Sequence, residues 1–273
     1  MNIHYGFLLK KSFNDLKNNP IIFLPIVFSI LFTIILFLFI GLQIFAFLKL
    51  GLNFKSNIIE SIMFWSVFGI IDLLLLILVQ SLIKGMQIGL LRGIISKSKT
   101  SSSLMWLGMK SFYSIIFRTT LLKFFIVIIP VVVVLLLSYI FYLVNTTAGF
   151  IVLAILGVLY LIYLIVACLF LTFGLFFIDP ITSINKNNSA INLMRESFNF
   201  SKKNLSHVLL TWVIVFAIIF GFQVVMKIIM LPFFLLPIAL IPVVIIFILG
   251  SIVINHWFKI FIFNSFFNYK NKK

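Results

Sequence analysis

Residues 124–178 read FFIVIIPVVVVLLLSYIFYLVNTTAGFIVLAILGVLYLIYLIVACLFLTFGLFFI, without a single charged side chain. A helix needs about 20 predominantly apolar residues to cross a bilayer, so this stretch has length for two crossings. Polar and small residues interrupt it plausibly at one place only, Asn145 to Gly149, where a turn belongs. Two spans follow, over about 120–144 and 149–178.

The charges divide the remainder of the chain in the same way. None occurs between Lys17 and Lys49, which places a span at about 21–48. Between Glu60 and Lys84 the only charge is Asp72, giving a span at about 59–84. Lys203 and Lys227 enclose a fifth span at about 205–227, and a sixth runs over about 237–261. The expected fold is all-α: one polytopic helical membrane domain, residues 1–273, with about six transmembrane helices.

Composition supports this independently. The chain is 63% hydrophobic and 10% charged, with a mean hydropathy of +1.30, whereas a soluble domain carries about 25% charged residues. Its 35 Phe residues and abundant Ile, Lys and Asn suit an AT-rich, prokaryotic coding sequence. The first apolar run is too long for a signal-peptide core and reads as a retained span. The lone cysteine, Cys168, excludes an internal disulfide and a CxxC motif.

The net charge of +16, from 21 basic and 5 acidic residues, does not point to nucleic acid. Nucleic-acid binding needs cations clustered on a water-exposed module, and here they lie in short segments between apolar runs. Such residues orient spans and meet anionic lipid headgroups. With a cytoplasmic N-terminus, every basic residue except Lys49, Lys55 and Lys227 falls on the inner side. The expectation is a multi-pass protein of the cell membrane with both termini cytoplasmic.

A short repeat accompanies this topology. Aligned without a gap, Ser12, Phe13, Asn14, Lys17 and Asn19 match Ser197, Phe198, Asn199, Lys202 and Asn204, each set just before a span. Ser111-Phe112-Tyr113 and Ser265-Phe266 are weaker echoes. Three interfacial amphipathic helices are expected, over about 5–19, 103–118 and 188–203, with aromatics in the acyl boundary and lysines among headgroups. In 103–118, helical spacing puts Trp106, Met109, Tyr113, Ile116 and Phe117 on one face, beside Lys110 and Arg118. Lys17, Trp106, Lys110, Arg118, Lys202 and Lys203 are the expected headgroup contacts. The repeat suggests duplication of an interfacial-helix-plus-span unit.

These features resemble a family of uncharacterised prokaryotic six-helix integral membrane proteins, a module that is similar to the membrane domain of some glycerophosphodiester phosphodiesterases. The resemblance rests on Ser12-Phe13 with Lys17-Asn18-Asn19-Pro20, on Gly85, Gly89 and Gly93 before a polar loop, and on Ala190, Ser197 and Asn204 before span five. It covers most of the chain. It implies fold and location and no activity, since the phosphodiesterase catalytic domain has no counterpart before Lys273.

Asp72 is the sharpest individual residue. It lies near the bilayer centre, where an ionised carboxylate costs roughly 2.5–3.5 kcal/mol. It is therefore expected protonated or hydrogen-bonded to Gln, Ser or Tyr. Gln80 and Gln87 fall within roughly 80° of it on a helix, forming a polar stripe. Both a structural and a functional role (proton relay or ligand) are open for this stripe. Ser81, Gly85, Gly89 and Gly93 repeat every four residues on another face, a spacing that lets two helix backbones approach closely; a hinge is the alternative. Pro232, Pro237 and Pro242 predict an irregular outer turn or a kinked span.

Catalytic constellations are missing. His4, His207 and His256 are widely separated and lack metal-ligand spacing. No Walker, GxSxG or paired-aspartate motif occurs. No cofactor and no enzymatic activity are expected. The favoured reading is a non-enzymatic membrane module that interacts with lipids, a second copy or a partner membrane protein. The alternative is a transporter or amphipath carrier using Asp72. The spans offer that carrier few lining groups: Ser66, Asp72, Gln80, Ser138, Thr172, Gln223 and Asn255.

Overall fold

In a computed structural model, residues 4–51, 58–96, 100–144, 146–185, 188–232 and 237–271 are described. Among them every regular element is helical, and six helices are long and apolar enough to cross a membrane. The protein is an all-α polytopic bundle. Asn145, Lys55, Lys97, Lys99, Lys186, Lys272 and Lys273, which entered the topology argument, lie outside the described residues.

The chain opens with α1 (Tyr5–Asn18), whose buried residues Leu8, Ser12 and Leu16 recur every fourth position along one face. It stops at Asn19 because the residue before a proline is driven out of the α region. There Asn19 adopts φ −130° and its amide returns to the Asp15 carbonyl at 2.8 Å. A 3₁₀ turn from Pro20 to Phe23 leads into α2 (Leu24–Lys49).

The repeat has a three-dimensional counterpart. The second amphipathic helix, α7 (Ala190–Lys203), ends on Asn204, again at φ −130°, with its amide on the Phe200 carbonyl at 2.8 Å. Each capping asparagine also accepts a hydroxyl from a distant element, Thr100 onto Asn19 and Tyr269 onto Asn204. Ser12 and Ser197 are fully buried at equivalent positions.

The third expected interfacial helix is different. Residues 103–118 and the span after them form one unbroken helix, α4 (Ser102–Val144), because Arg118 stands where the other copies carry a chain-breaking Asn. Its buried face is Met105, Gly108, Phe112, Ile115, Ile116 and Thr119, not the Trp106–Met109–Tyr113 face. The cause is on α3 (Ile58–Ile95). A Cβ on Gly89 would meet Gly108 Cα at 2.6 Å and the Leu104 carbonyl at 2.5 Å. The two backbones touch on that side, which turns Trp106 and Tyr113 outward.

α5 (Thr146–Leu169) pairs with α4, and the expected span 149–178 is interrupted by a π-helical turn at Phe170–Gly174. A π-turn frees backbone carbonyls, and Gly174 O is satisfied by Ser197 Oγ at 3.0 Å and Ser201 Oγ at 3.3 Å. A short α6 (Ile178–Ile184) follows, then α7, α8 (Leu205–Met230) and α9 (Pro237–Asn271). Pro237 occupies the first described position of α9 and Pro242 lies within it. This helix runs well past residue 261, so the Ser265-Phe266 echo lies inside it.

Three hairpins result, α2–α3, α4–α5 and α8–α9, joined at the end that carries most of the basic residues. The main core sits at that basic end, with Leu16, Ile22, Ile88, Phe112, Phe177, Leu193, Val208 and Ile260 among its members. In the most apolar window of each span only 6–11% is buried within the chain. Lipid, not protein, is the solvent for most of the membrane-level surface.

Candidate functional site

The expected Asp72 stripe is three separate environments along α3. Asp72 accepts a hydrogen bond from Gln43 Nε2 of α2 at 2.9 Å. Gln43 is 3% exposed and its Oε1 has no partner among the described residues. Two turns on, Gln80 lines a groove of about 180 Å³ between α2 and α3, with Ser29 and Thr33 opposite. Gln87 belongs to neither group: its Oε1 accepts from Lys259 Nζ of α9 at 2.7 Å. At 1.5 Å per residue, Asp72 and Gln87 are roughly 22 Å apart along the helix.

The denser polar centre lies at the basic end and is built by all three hairpins. Lys84 of α3 pairs with Asp179 of α6 at 2.9 Å. Lys123 of α4 approaches from one side, and Lys259 with Gln87 from the other. Burial by itself would raise the Asp179 carboxyl, but Lys84 and Lys123, then Lys259, outweigh it and hold the group below the usual carboxylate range. One small cavity, about 50 Å³, is lined by Lys84, Gln87, Asp179 and Lys259 together with Leu91 and Phe176. A second, on the Lys123 side, includes Thr119, Thr120 and Thr182 in its wall.

Asp179 was not among the residues that the sequence singled out. The only signal available was its position, directly after the charge-free run and before Pro180. The four residues are separated by tens of positions, and no periodicity relates them.

A second polar cluster ties the two chain ends together. His207 receives Tyr5 OH on Nδ1 at 2.7 Å and faces Ser265 Oγ from Nε2 at 3.3 Å. Thr211 Oγ1 lies 3.2 Å from the same serine, and the imidazole stacks between Phe177 and Tyr269. Ser265 is completely buried, and the cluster joins α1, α8 and α9. On α9, Asn264 donates to Ser12 and Asp15 of α1, and Trp257 Nε1 donates to the Leu9 carbonyl. His256 is separate, bonded to the Ile252 carbonyl at 2.9 Å.

The expected packing residues Ser81, Gly85, Gly89 and Gly93 are all buried, and Gly85 and Gly89 face α4. Lys17, Lys110, Arg118, Lys202 and Lys203 are exposed at the basic end, as is Trp106, which is 42% exposed and edge-on to Phe28. Compared with protein-family models, with curated proteins and with solved structures, the chain finds no match.

Proposed function

We propose that the protein is a non-enzymatic module of the cell membrane that gathers anionic lipid headgroups at the cytoplasmic face, with its basic end and both termini inside. The reading rests on one arrangement. Exposed Lys17, Trp106, Lys110, Arg118, Lys202 and Lys203 surround a packed apolar base, while the spans above that base face outward. Each lysine or arginine near an anionic surface contributes about 1 kcal/mol of attraction. The resemblance to a six-helix membrane module is in keeping with the same location. Lipids are the proposed partners, with a second copy or another membrane protein as further ones.

The test is lipid enrichment by native mass spectrometry from nanodiscs of mixed phosphatidylglycerol and phosphatidylcholine. Wild type is expected to retain phosphatidylglycerol preferentially, less so at high salt because exposed charges are screened. The double substitution Lys202→Glu/Lys203→Glu should reduce that preference. Equal retention of both lipids by wild type would sink the reading.

A carrier role for Asp72 has one observation in its favour. Gln43 Oε1, beside the Asp72 carboxylate, is a buried acceptor without a donor, and such a group costs about 1–3 kcal/mol unless something fills it. A proton or an amphipathic ligand could do so. Loss of a measured flux in Asp72→Asn liposomes would favour the carrier; an unchanged flux would remove Asp72 from it.

A further inference from the structure

The centre around Asp179 has three ammonium groups and one carboxylate. Lys84 and Asp179 neutralise each other at 2.9 Å, and Lys259 spends one donor on the neutral Gln87 oxygen. Lys123, partly buried, makes no hydrogen bond or ion pair among the described residues, although it faces Asp179 across the second cavity. Two positive charges are left over in a partly enclosed place. Such charges are retained in folded proteins when an opposite charge meets them, since desolvating an unpaired ion is expensive. Asp15 and Glu196, the other described carboxylates at the basic end, are engaged elsewhere, by Asn264 at 3.0 Å and by Asn185 at 2.8 Å.

The space on either side suits a compact ligand. Lys84 lines both cavities, so they flank one ion pair and share its ammonium. One has a volume of about 50 Å³ and the other of about 10 Å³, enough for the oxygens of a small oxyanion and for one water. Neither has room for an acyl chain. The donors available are the lysine ammonium groups, the kind that bind phosphoryl oxygens as point charges. A phosphate monoester carries about −1.5 to −2 at pH 7, which Lys259 meets directly in the larger cavity and Lys123 meets at longer range.

We infer that Lys84 and Lys259, lining the larger cavity beside Asp179 where the three hairpins meet, form a binding site for a phosphate-monoester-class anion, either free phosphate or the headgroup of a phosphatidic-acid-type lipid, with Lys123 adding positive charge from the far side of the ion pair. The site is independent of the exposed basic surface invoked above, because none of its three lysines belongs to that surface. Asp179 sets its selectivity: it consumes one lysine's charge and repels an anion that approaches from its own side.

The full chain, purified in dodecyl maltoside and stripped of lipid, is titrated with inorganic phosphate, with dioleoyl phosphatidic acid and with dioleoyl phosphatidylcholine. Binding is read by native mass spectrometry and by the shift in Tm. Wild type should take up one phosphate or one phosphatidic acid in preference to phosphatidylcholine. Lys259→Met should bind about tenfold more weakly or worse, the loss of one charge-assisted hydrogen bond. Lys259→Gln makes the same comparison if Lys259→Met does not fold, and Lys123→Met, which removes charge but no direct contact, should weaken binding less. Lys202→Glu/Lys203→Glu should bind as wild type, so failure of the surface reading and failure of this site are distinguishable. Uptake of phosphate assigns the site to a soluble anion, and uptake of phosphatidic acid alone assigns it to a lipid; either supports the site. No preference over phosphatidylcholine with no response to phosphate, or binding that neither Lys259 substitution weakens, overturns it.

Discussion

Asp72 and Asp179 show how differently two carboxylates of one chain are handled. The first, within a span, has a neutral amide as its hydrogen-bond donor among the described residues, Gln43 Nε2 at 2.9 Å. The second is at the membrane boundary, where cations hold its carboxyl below the usual range. That depression has a definite sign in pH. With a folded value below the unfolded one of about 3.9, the Lys84–Asp179 pair contributes stability at every pH above that unfolded value. The contribution disappears as pH falls through the folded value. Thermal stability of the purified protein is therefore expected to be insensitive to this group between about pH 5 and 8 and to fall in stronger acid. Asp179→Asn should melt lower than wild type at pH 7, with the gap narrowing below about pH 4. A gap that stays constant from pH 7 to pH 3 would contradict the ion pair's contribution.

At the scale of elements, the contact that organises the base is α3 against α4. It depends on glycines from both helices: a Cβ on Gly108 would stand 2.5 Å from Gly89 Cα and 2.7 Å from the Gly85 carbonyl. Backbone atoms cannot swing aside as a flexible side chain can, so Gly89→Leu must separate the helices. Overpacking of this kind costs about 1–3 kcal/mol or more. The expected result is a lowered Tm and a loss of monodisperse protein on size exclusion. Gly41→Leu, at a glycine with nothing near its Cβ position, should behave as wild type. Two other junctions rely on polar caps: Asn19 and Asn204 each bind back to the carbonyl four residues earlier. These caps let an amphipathic helix end and a span begin in a new direction. α4 has no such cap and carries straight on into the bilayer.

For the molecule as a whole, stability is concentrated at one end. Phe177, Phe261 and Phe263, all at the basic end, are among its largest completely buried side chains, whereas Leu135, Ile155 and Ile162 in the membrane are more than half exposed. Lipid tails are as apolar as the side chains they meet, so lipid-facing residues gain little from burial. Phe261→Ala is expected to destabilise by about 3–5 kcal/mol, the range for emptying a phenylalanine site. Ile155→Ala should stay within about 0.5 kcal/mol. Thermal unfolding of both in one detergent compares them directly; equal losses would mean that the core extends along the spans.

The spans and their number were legible in the sequence because insertion depends on local hydrophobicity, a sum over neighbours in the chain. The Ser-Phe-Asn copies before spans one and five, and the four-residue repeat ending at Gly93, were legible for a similar reason, since helical spacing puts near neighbours on one face. What came from tertiary structure was which groups meet. Asp179 acquired meaning from Lys84, Lys123 and Lys259, contributed by α3, α4 and α9, and Asp72 acquired Gln43 as a partner from another helix. The stripe that joined Asp72 to Gln87 was correct as a helical projection but spread over different environments. A wheel has no axial coordinate, and these residues are separated along the axis. The continuity of α4 and the π-turn at Phe170–Gly174 were likewise decided by packing, because each answers a steric or hydrogen-bonding demand made by a different part of the chain.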